Sequence, residues 1–432
     1  MSITRIRRHA PALGLVLLAA LALRVTWISF VHPDPNDGRF DDTVWYRNSA
    51  HFLALGAGYV NPFTGTPTAA WPPGYPAFLG GVFRAFGEGT TQTYAANAVV
   101  ATATVAIVYG IGLLLFDQRT ALVGAVATAL WPGQVYFASL TLSEIVFTAL
   151  FSLAFLLALA AVRTRVWRGA TVVAFGLATA AAVLTRGQAA LLLPLAVCAW
   201  AMAGMSWRRA IGWGMLAAVV VGAALAPWVM RNQRALGSPV IVATNAGPNL
   251  WLGHHEGATG RMQSDEPIPV PDRGNLTQPE YEVKADRLAL RKGVRFILTH
   301  PADELRLSAT KVRAMYESDS TALDWNSSYD DGFYAPGAAG FLRTLANGYW
   351  FAALGLAAVG VAACRQRLRD LPGILPLTLL AWTATHLLFF GDSRFHYPIV
   401  FIVALLAARG VVVLYEGVRR AQPSLEGRYA AA

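Results

Sequence analysis

Cysteine is scarce in this chain. Its 432 residues hold two, Cys198 and Cys364, both in or beside apolar runs. That excludes a disulfide framework and any Cys-x-x-Cys zinc or redox site. Charge is scarce too: 14% of residues are Asp, Glu, Lys or Arg, against about 25% in an average soluble domain. With 55% hydrophobic residues and a mean hydropathy of +0.44, a disordered chain, a coiled coil and an ordinary soluble enzyme are ruled out. The short motifs of nucleotide and hydrolytic chemistry are also missing. No GxxxxGK[ST], GxGxxG, HExxH or GxSxG occurs. Phosphate-loop, dinucleotide, zincin and nucleophile-elbow mechanisms therefore have no support.

Long apolar runs are what the chain does have. A bilayer-spanning helix needs about 20 mostly apolar residues. Ten stretches qualify, at roughly 11–31, 93–115, 121–140, 143–162, 169–185, 188–206, 211–230, 343–363, 372–390 and 396–414. The fold class is an all-α polytopic membrane protein. The first stretch comes after the basic segment 5–8, but it is long for a secretory signal and no A-x-A site lies beyond it, so it reads as a retained anchor.

The net charge of +10 would suit nucleic acid if it formed a patch, but its placement points elsewhere. With the N-terminus in the cytoplasm, the cytoplasmic pieces carry 15 basic residues against four acidic ones. Segment 231–343 has 13 basic and 14 acidic residues, and the remainder has seven of each sign. The whole surplus is thus a positive-inside signal, with both termini cytoplasmic. The chain divides into three parts. An N-terminal membrane module at 1–230 has seven spans and a first outer loop at 32–92. An extracytoplasmic region occupies 231–342. A C-terminal module at 343–432 has three spans and a short tail.

Within the first outer loop, 33–40 is turn-rich. The run 42–55 has helical spacing, with Trp45, Tyr46, Ser49, Phe52 and Leu53 on one face. It is too polar to span, and reads as an interfacial helix stopped by Gly56 and Gly58. Trp71-Pro72-Pro73-Gly74-Tyr75-Pro76 makes a stiff loop into a second short helix at about 76–86. In the large outer segment, Thr277-x-x-Glu280 is a capping box opening a helix to about Thr299. Pro301 opens another, ending near Met315. Two helices among turns make a small cap between spans seven and eight.

Several side chains at the outer ends could carry chemistry. Asp41 and Asp42 precede the interfacial helix: as caps they satisfy its first N–H groups, and as a general base one of them takes a proton from an acceptor hydroxyl. Glu144, after Ser143, starts the fourth span, where a carboxylate either caps the helix or needs a partner. Arg186 breaks the positive-inside pattern. It either snorkels to the interface or offers its fork of donors to a phosphate. Arg24, inside the first span, needs a partner or a wet cavity. Asp392-Ser393-Arg394-Phe395-His396-Tyr397 packs five polar or titratable side chains into one short loop, with an Asp392–Arg394 surface pair as its plainest reading. His254-His255-Glu256 lacks metal-ligand spacing, so no metal site is assigned. The residues fix no cofactor and leave dependence on a divalent metal open.

Taken in order, the motifs resemble a known family. They are Asp42 with Tyr46 and Ala50, then Leu53-Ala54-Leu55-Gly56-Ala57-Gly58-Tyr59, then Trp71-Pro72-Pro73-Gly74-Tyr75-Pro76. Further on come Leu184-Thr185-Arg186, Ala226-Pro227-Trp228-Val229-Met230-Arg231-Asn232, Trp251-Leu252-Gly253 with Gly260, and Arg394-Phe395-His396-Tyr397-Pro398. The set is similar to bacterial members of the GT-C glycosyltransferase superfamily, nearest to the protein O-mannosyltransferases and the aminoarabinose transferase of lipid A. The resemblance implies a GT-C-like fold and a polyprenyl-phosphate-linked sugar as donor, usually transferred with inversion. It makes an acidic residue of the first outer loop the base, matching Asp42 best with Asp41 beside it. Glu144 matches a second acidic position. Arg186, and with it Arg394, would meet the donor phosphate, and Tyr46, Trp71, Tyr75 and His396 would line the substrate pocket. The expected partners are a polyprenyl-phosphate-linked sugar, membrane lipid and an envelope glycan, lipid or protein acceptor, with no nucleic acid. The expected location is the bacterial inner membrane. A transporter or flippase of polyprenyl-linked glycans is the rival class; it calls for inverted repeats and broken mid-membrane helices, and neither is visible in the sequence.

Overall fold

A computed structural model describes residues 3–31, 41–164, 166–329, 337–365 and 369–421, without the side chains of 3–10 and 421. The turn-rich loop expected at 33–40 lies outside the described residues. So do Arg165, Arg367, Glu426 and Arg428 of the charge count, and the side chains of Arg5, Arg7 and Arg8.

The elements are helices throughout, with no strand among the described residues beyond two isolated bridges. After α1 (Ile3–Phe30) come α2 (Asp42–Ala54) and α3 (Gly74–Phe86), at the positions expected for two short loop helices. Then come α4 (Thr90–Leu115), α5 (Gln118–Ala129), α6 (Pro132–Tyr136), α7 (Glu144–Arg163), α8 (Arg168–Thr185), α9 (Leu192–Met202) and α10 (Trp207–Leu236). The cap consists of α11 (Ala246–Gly253), α12 (Gln278–Thr299), α13 (Pro301–Tyr316) and α14 (Thr321–Tyr329). α15 (Ala338–Cys364), α16 (Ile374–His386) and α17 (Val400–Ala421) complete the described helices.

The protein is a multi-pass membrane protein. Among the described residues seven helices are long and apolar enough to cross a membrane, or eight if the bent pair α5–α6 makes one span. Two of the ten expected spans are shorter: α9 has 11 residues and α16 has 13. Each is preceded by a 3₁₀ turn, Gly187–Leu191 and Leu371–Gly373. α17 and the turn before it are the centre of the bundle, with 78% of their apolar window buried, against 11% for α1. Aromatic contacts knit α7, α16 and α17: Phe151 meets Trp382 at 5.2 Å and Phe401 at 6.3 Å between ring centroids.

α5 breaks at Trp131-Pro132 with a 51° bend. Proline lacks an N–H and disfavours helix at the residue before it, and Trp131 is extended, at ψ 113. The break leaves the carbonyl end of α5 inside the bundle, and this is where Arg24 finds its partners. Its Nη1 donates to Ala129 O at 3.2 Å and to Ala20 O at 2.9 Å. A cation at the negative end of a helix is favourable, so Arg24 serves the fold.

The cap is richer than expected. The capping box of Thr277 and Glu280 is present, and α12 and α13 run as expected. α11 and α14 are additional, and they correct the two-helix expectation. Gly247 lets α11 pack closely on α12, since a Cβ there would lie 1.9 Å from the carbonyl oxygen of Asp286.

α15 and α17 cross at glycines. A Cβ on Gly360 would lie 2.0 Å from Leu406 O, and one on Gly410 would lie 2.2 Å from Leu356 O. Small residues at such crossings let backbones approach. Gly410→Ala should therefore destabilise the protein by about 1–3 kcal/mol, read as a lower thermal midpoint in detergent. Gly348→Ala on α15 has open space and should leave the midpoint unchanged or raise it. Equal midpoints for the two variants would show that the crossing is not close-packed.

Candidate active site

Four stretches of chain converge at one end of the bundle: the start of α2, the Trp71–Pro73 loop, the junction of α7 with the end of α8, and the turn before α17. Adjacent aspartates divide the first task. Asp41 is extended and caps α2, its Oδ1 accepting from the N–H groups of Thr43 at 2.9 Å and Val44 at 3.1 Å. Asp42 is the first residue of the helix, and its carboxylate turns to other partners. Its Oδ1 accepts from Trp71 Nε1 at 3.0 Å, and its Oδ2 pairs with Arg394 Nη1 at 3.0 Å.

Arg394 reaches Asp42 from 352 residues away because its turn is anchored on both sides. Asp392 Oδ1 accepts from the Arg394 N–H at 2.9 Å, and Trp382 Nε1 donates to Phe395 O at 2.8 Å. The guanidinium lies 5.9 Å from the Trp325 ring centroid and 5.6 Å from that of Phe395. The Asp392–Arg394 pairing is present at 3.8 Å, as a flank to the Asp42 contact. Trp325 is an addition to the expected set; it sits on α14.

Glu144 opens α7 with its side chain fully buried, and is hydrogen-bonded to Arg186 Nη2. Arg186 Nε donates to Ser143 Oγ at 3.0 Å. Ser143 therefore makes no side-chain cap of α7, and Arg186 turns inward rather than snorkelling. The end of α8 is tightly covered: a Cβ on Gly74 would lie 2.7 Å from Thr185 N, so only glycine lets the Trp71-Pro72-Pro73 loop press against this corner.

Tyr46 links the two pairs. Its ring meets Tyr75 edge-on at 5.1 Å, and its hydroxyl is within electrostatic reach of Asp42 and Glu144 and bonded to Ser143. Burial first, then the charge of Asp42, holds the phenol well above its ordinary value, so it stays protonated. Trp71 stacks on Trp45 at 4.1 Å. Tyr75 lies a layer deeper, beside Asn97, its phenol likewise raised by burial. His396 does not join the site, which corrects its expected place in the substrate pocket. Both ring nitrogens are taken, Nδ1 by Met315 O at 2.7 Å and Nε2 by Asp319 at 2.9 Å, and the ring stacks on Trp350 at 4.1 Å.

The His254 motif is occupied elsewhere. Lys311 Nζ donates to His254 Nε2 at 3.0 Å and to Leu387 O at 3.0 Å, and His254 Nδ1 meets Glu304 at 2.8 Å. Burial pushes the Lys311 ammonium down to about 8, against the pull of Glu304. Among the described residues no three His, Cys, Asp or Glu side chains group as a metal would need. Asp42 and Glu144 each carry an arginine.

Residues 70–230 match the family model described as dolichyl-phosphate-mannose-protein mannosyltransferase. The whole chain is similar to the archaeal oligosaccharyltransferase AglB from Archaeoglobus fulgidus, solved in complex with an inhibitory peptide and a dolichol-phosphate. The TM-score is 0.57 at 17% identity, over 98% of this chain and 53% of that one. The Archaeoglobus fulgidus oligosaccharyltransferase in complex with Zn and sulfate gives a TM-score of 0.55 at 15% identity, over 94% and 49%. ArnT from Cupriavidus metallidurans bound to undecaprenyl phosphate gives 0.43 at 17% identity, over 93% and 78%. The chain thus spans about half the length of the archaeal enzyme it matches. No curated protein sequence matches it.

The buried pair makes a stability prediction. Removing one partner of a buried ion pair leaves an uncompensated charge and costs about 3–5 kcal/mol. Arg186→Ala should lower the thermal midpoint sharply, and adding Glu144→Gln should recover much of the loss, because no ionised carboxylate is then left behind. Additive losses in the double variant would mean that the two side chains do not depend on each other.

Proposed function

With the GT-C fold and the mannosyltransferase match over residues 70–230 as premises, we propose that the protein is a glycosyltransferase using a polyprenyl-phosphate-linked sugar. One observation carries the reading. Asp42 is a carboxylate that can be reached, with 24% of its side chain exposed, held between Trp71 and Arg394, and its charge and that of a second arginine, Arg186, both reach the Tyr46 hydroxyl between them. Glu144 is fully buried, so it serves Arg186 while Asp42 serves the substrate.

In this scheme the acceptor hydroxyl attacks the anomeric carbon. Asp42 takes the hydroxyl proton, the bond from carbon to phosphate oxygen breaks, and polyprenyl phosphate leaves from the opposite face, inverting the centre. A carboxylate offers about four lone-pair sites, and Trp71 and Arg394 fill only two of them. Arg186 and Arg394 answer the charge gathering on the leaving phosphate with donors that are already fixed in place. Tyr46, protonated at neutral pH, is available as a further donor. The positive-inside count supports cytoplasmic termini and an extracytoplasmic site in a bacterial inner membrane, with an envelope glycan, lipid or protein as acceptor.

Purified protein in lipid should release polyprenyl phosphate from such a donor when acceptor is present. Movement of the intact donor between leaflets without release would identify a flippase instead. Asp42→Asn keeps the shape and loses the basicity, so turnover should fall by about 10² to 10⁴-fold with donor binding retained. A folded Asp42→Asn protein with near-normal turnover would remove the assignment.

Arg186 makes a separate prediction about the donor. In a Glu144→Gln background, which avoids the stranded carboxylate, Arg186→Ala should weaken donor binding by roughly 10 to 100-fold, the worth of a charge-assisted hydrogen bond. Arg186→Lys keeps the charge without the fork and should weaken it less. Donor titrations giving equal affinities would take Arg186 out of the site.

A further inference from the structure

A further carboxylate lies outside the site, on the cap, and its hydrogen bonds lead back to Asp42. Glu282 is on α12. Its Oε2 accepts from Thr68 Oγ1 at 2.6 Å, and its Oε1 accepts from Ala69 N at 2.9 Å and Thr244 Oγ1 at 2.6 Å. Thr68 is fully buried and Thr244 nearly so. Without the carboxylate, two buried hydroxyls and a backbone N–H would lose their acceptor. Arg231, at the end of α10, completes the knot, with Nη1 donating to Thr68 O at 2.7 Å and Nη2 donating to Tyr59 O.

The segment tied down by Glu282 runs straight into the site. Thr244 N donates to Ala69 O at 2.8 Å, and two residues later Tyr59 OH donates to Trp71 O at 2.9 Å. Pro72 and Pro73 stiffen the chain beyond Trp71, and Gly74 seats it on Thr185. Trp71 is thus held at both ends, its ring on Trp45 and its Nε1 on Asp42. The Glu282 carboxylate is bonded to Thr68, Ala69 and Thr244, two or more residues along the chain from Trp71.

We propose that Glu282 is a positioning residue that sets the orientation of Asp42 through the Thr68–Trp71 segment, and so couples the cap to the base. The proposal rests on Asp42 being that base. It predicts that Glu282 and Trp71 act in series. The test uses the full-length protein with Glu282→Ala, Glu282→Gln, Trp71→Phe and the two double variants. Glu282→Gln keeps size and one acceptor, so it remains informative if Glu282→Ala fails to fold.

Near-ultraviolet circular dichroism of the Trp45–Trp71 stack needs no substrate. Glu282→Gln should reduce the part of the signal that Trp71→Phe abolishes, and should change nothing further in the Trp71→Phe background. In turnover, Glu282→Gln should lower kcat, on the order of 10 to 100-fold for a misplaced reacting group, while KM for the donor stays within about twofold. The double variant should match Trp71→Phe alone. Additive kinetic losses, or an unchanged dichroism signal in a folded Glu282→Gln protein, would overturn the proposal. A coupled dichroism signal in a protein with no transferase activity would uphold the link from Glu282 to Trp71 and overturn the base reading on which its catalytic meaning depends.

Discussion

The buried contact between Glu144 and Arg186 is the constraint around which the site is arranged. An ionised carboxylate with no exposure is costly in an apolar bundle unless a cation and further donors meet it. Arg186 supplies the cation from the end of α8, and Ser143 takes its second donor. That fixes α7 against α8 at one level of the bundle. It also makes a hard corner at Thr185, onto which Gly74 closes without a side chain between. The stiff loop before Gly74 then brings the Trp71 indole to Asp42. The reachable carboxylate is positioned from the unreachable one, through backbone contact.

Asp41 and Asp42 show how neighbouring residues of one type are sorted. A helix N-terminus needs an acceptor on the extended residue just outside it, and Asp41 has that backbone. Once its oxygen is taken by Thr43 and Val44, Asp42 is relieved of capping. Being the first helical residue, it projects another way, toward Trp71 and Arg394. The cap reading of the pair belongs to Asp41, and Asp42 keeps a carboxylate that no helix end has claimed.

Much of this is legible in the sequence because its causes are local. Apolar runs report helices that need an apolar surround, a capping box is a four-residue event, and Asp42, Glu144 and Arg186 stand out as charges at the ends of such runs. The pairing is not legible. Arg394 meets Asp42 across 352 residues, and no local pattern says which outer carboxylate it will find. His396 departs from its expected place for a related reason. It lies two residues from Arg394 in a 3₁₀ turn, and with about three residues per turn that separation sends the two side chains to different sides. Glu282 is invisible in the sequence because on α12 it reads as an ordinary exposed helix charge, and its three donors come from two other segments.

Charge arithmetic at the site shows what kind of recognition it can perform. Arg186 and Arg394 are met by Glu144, Asp42 and Asp392, so three carboxylates face two guanidinium groups. A surplus of positive charge is not what would draw an anion here. What the arginines offer is direction. Arg394 gives one Nη1 to Asp42, and the side chains of Arg394 and Arg186 each keep 16% exposure. An anion that can use the remaining donors in their fixed fork gains bonds that a diffuse negative charge does not. Tetrahedral phosphate oxygens suit that geometry. The carboxylates already present hold the forks in place when no anion is bound, so selectivity in this site comes from the direction of donors rather than from net charge.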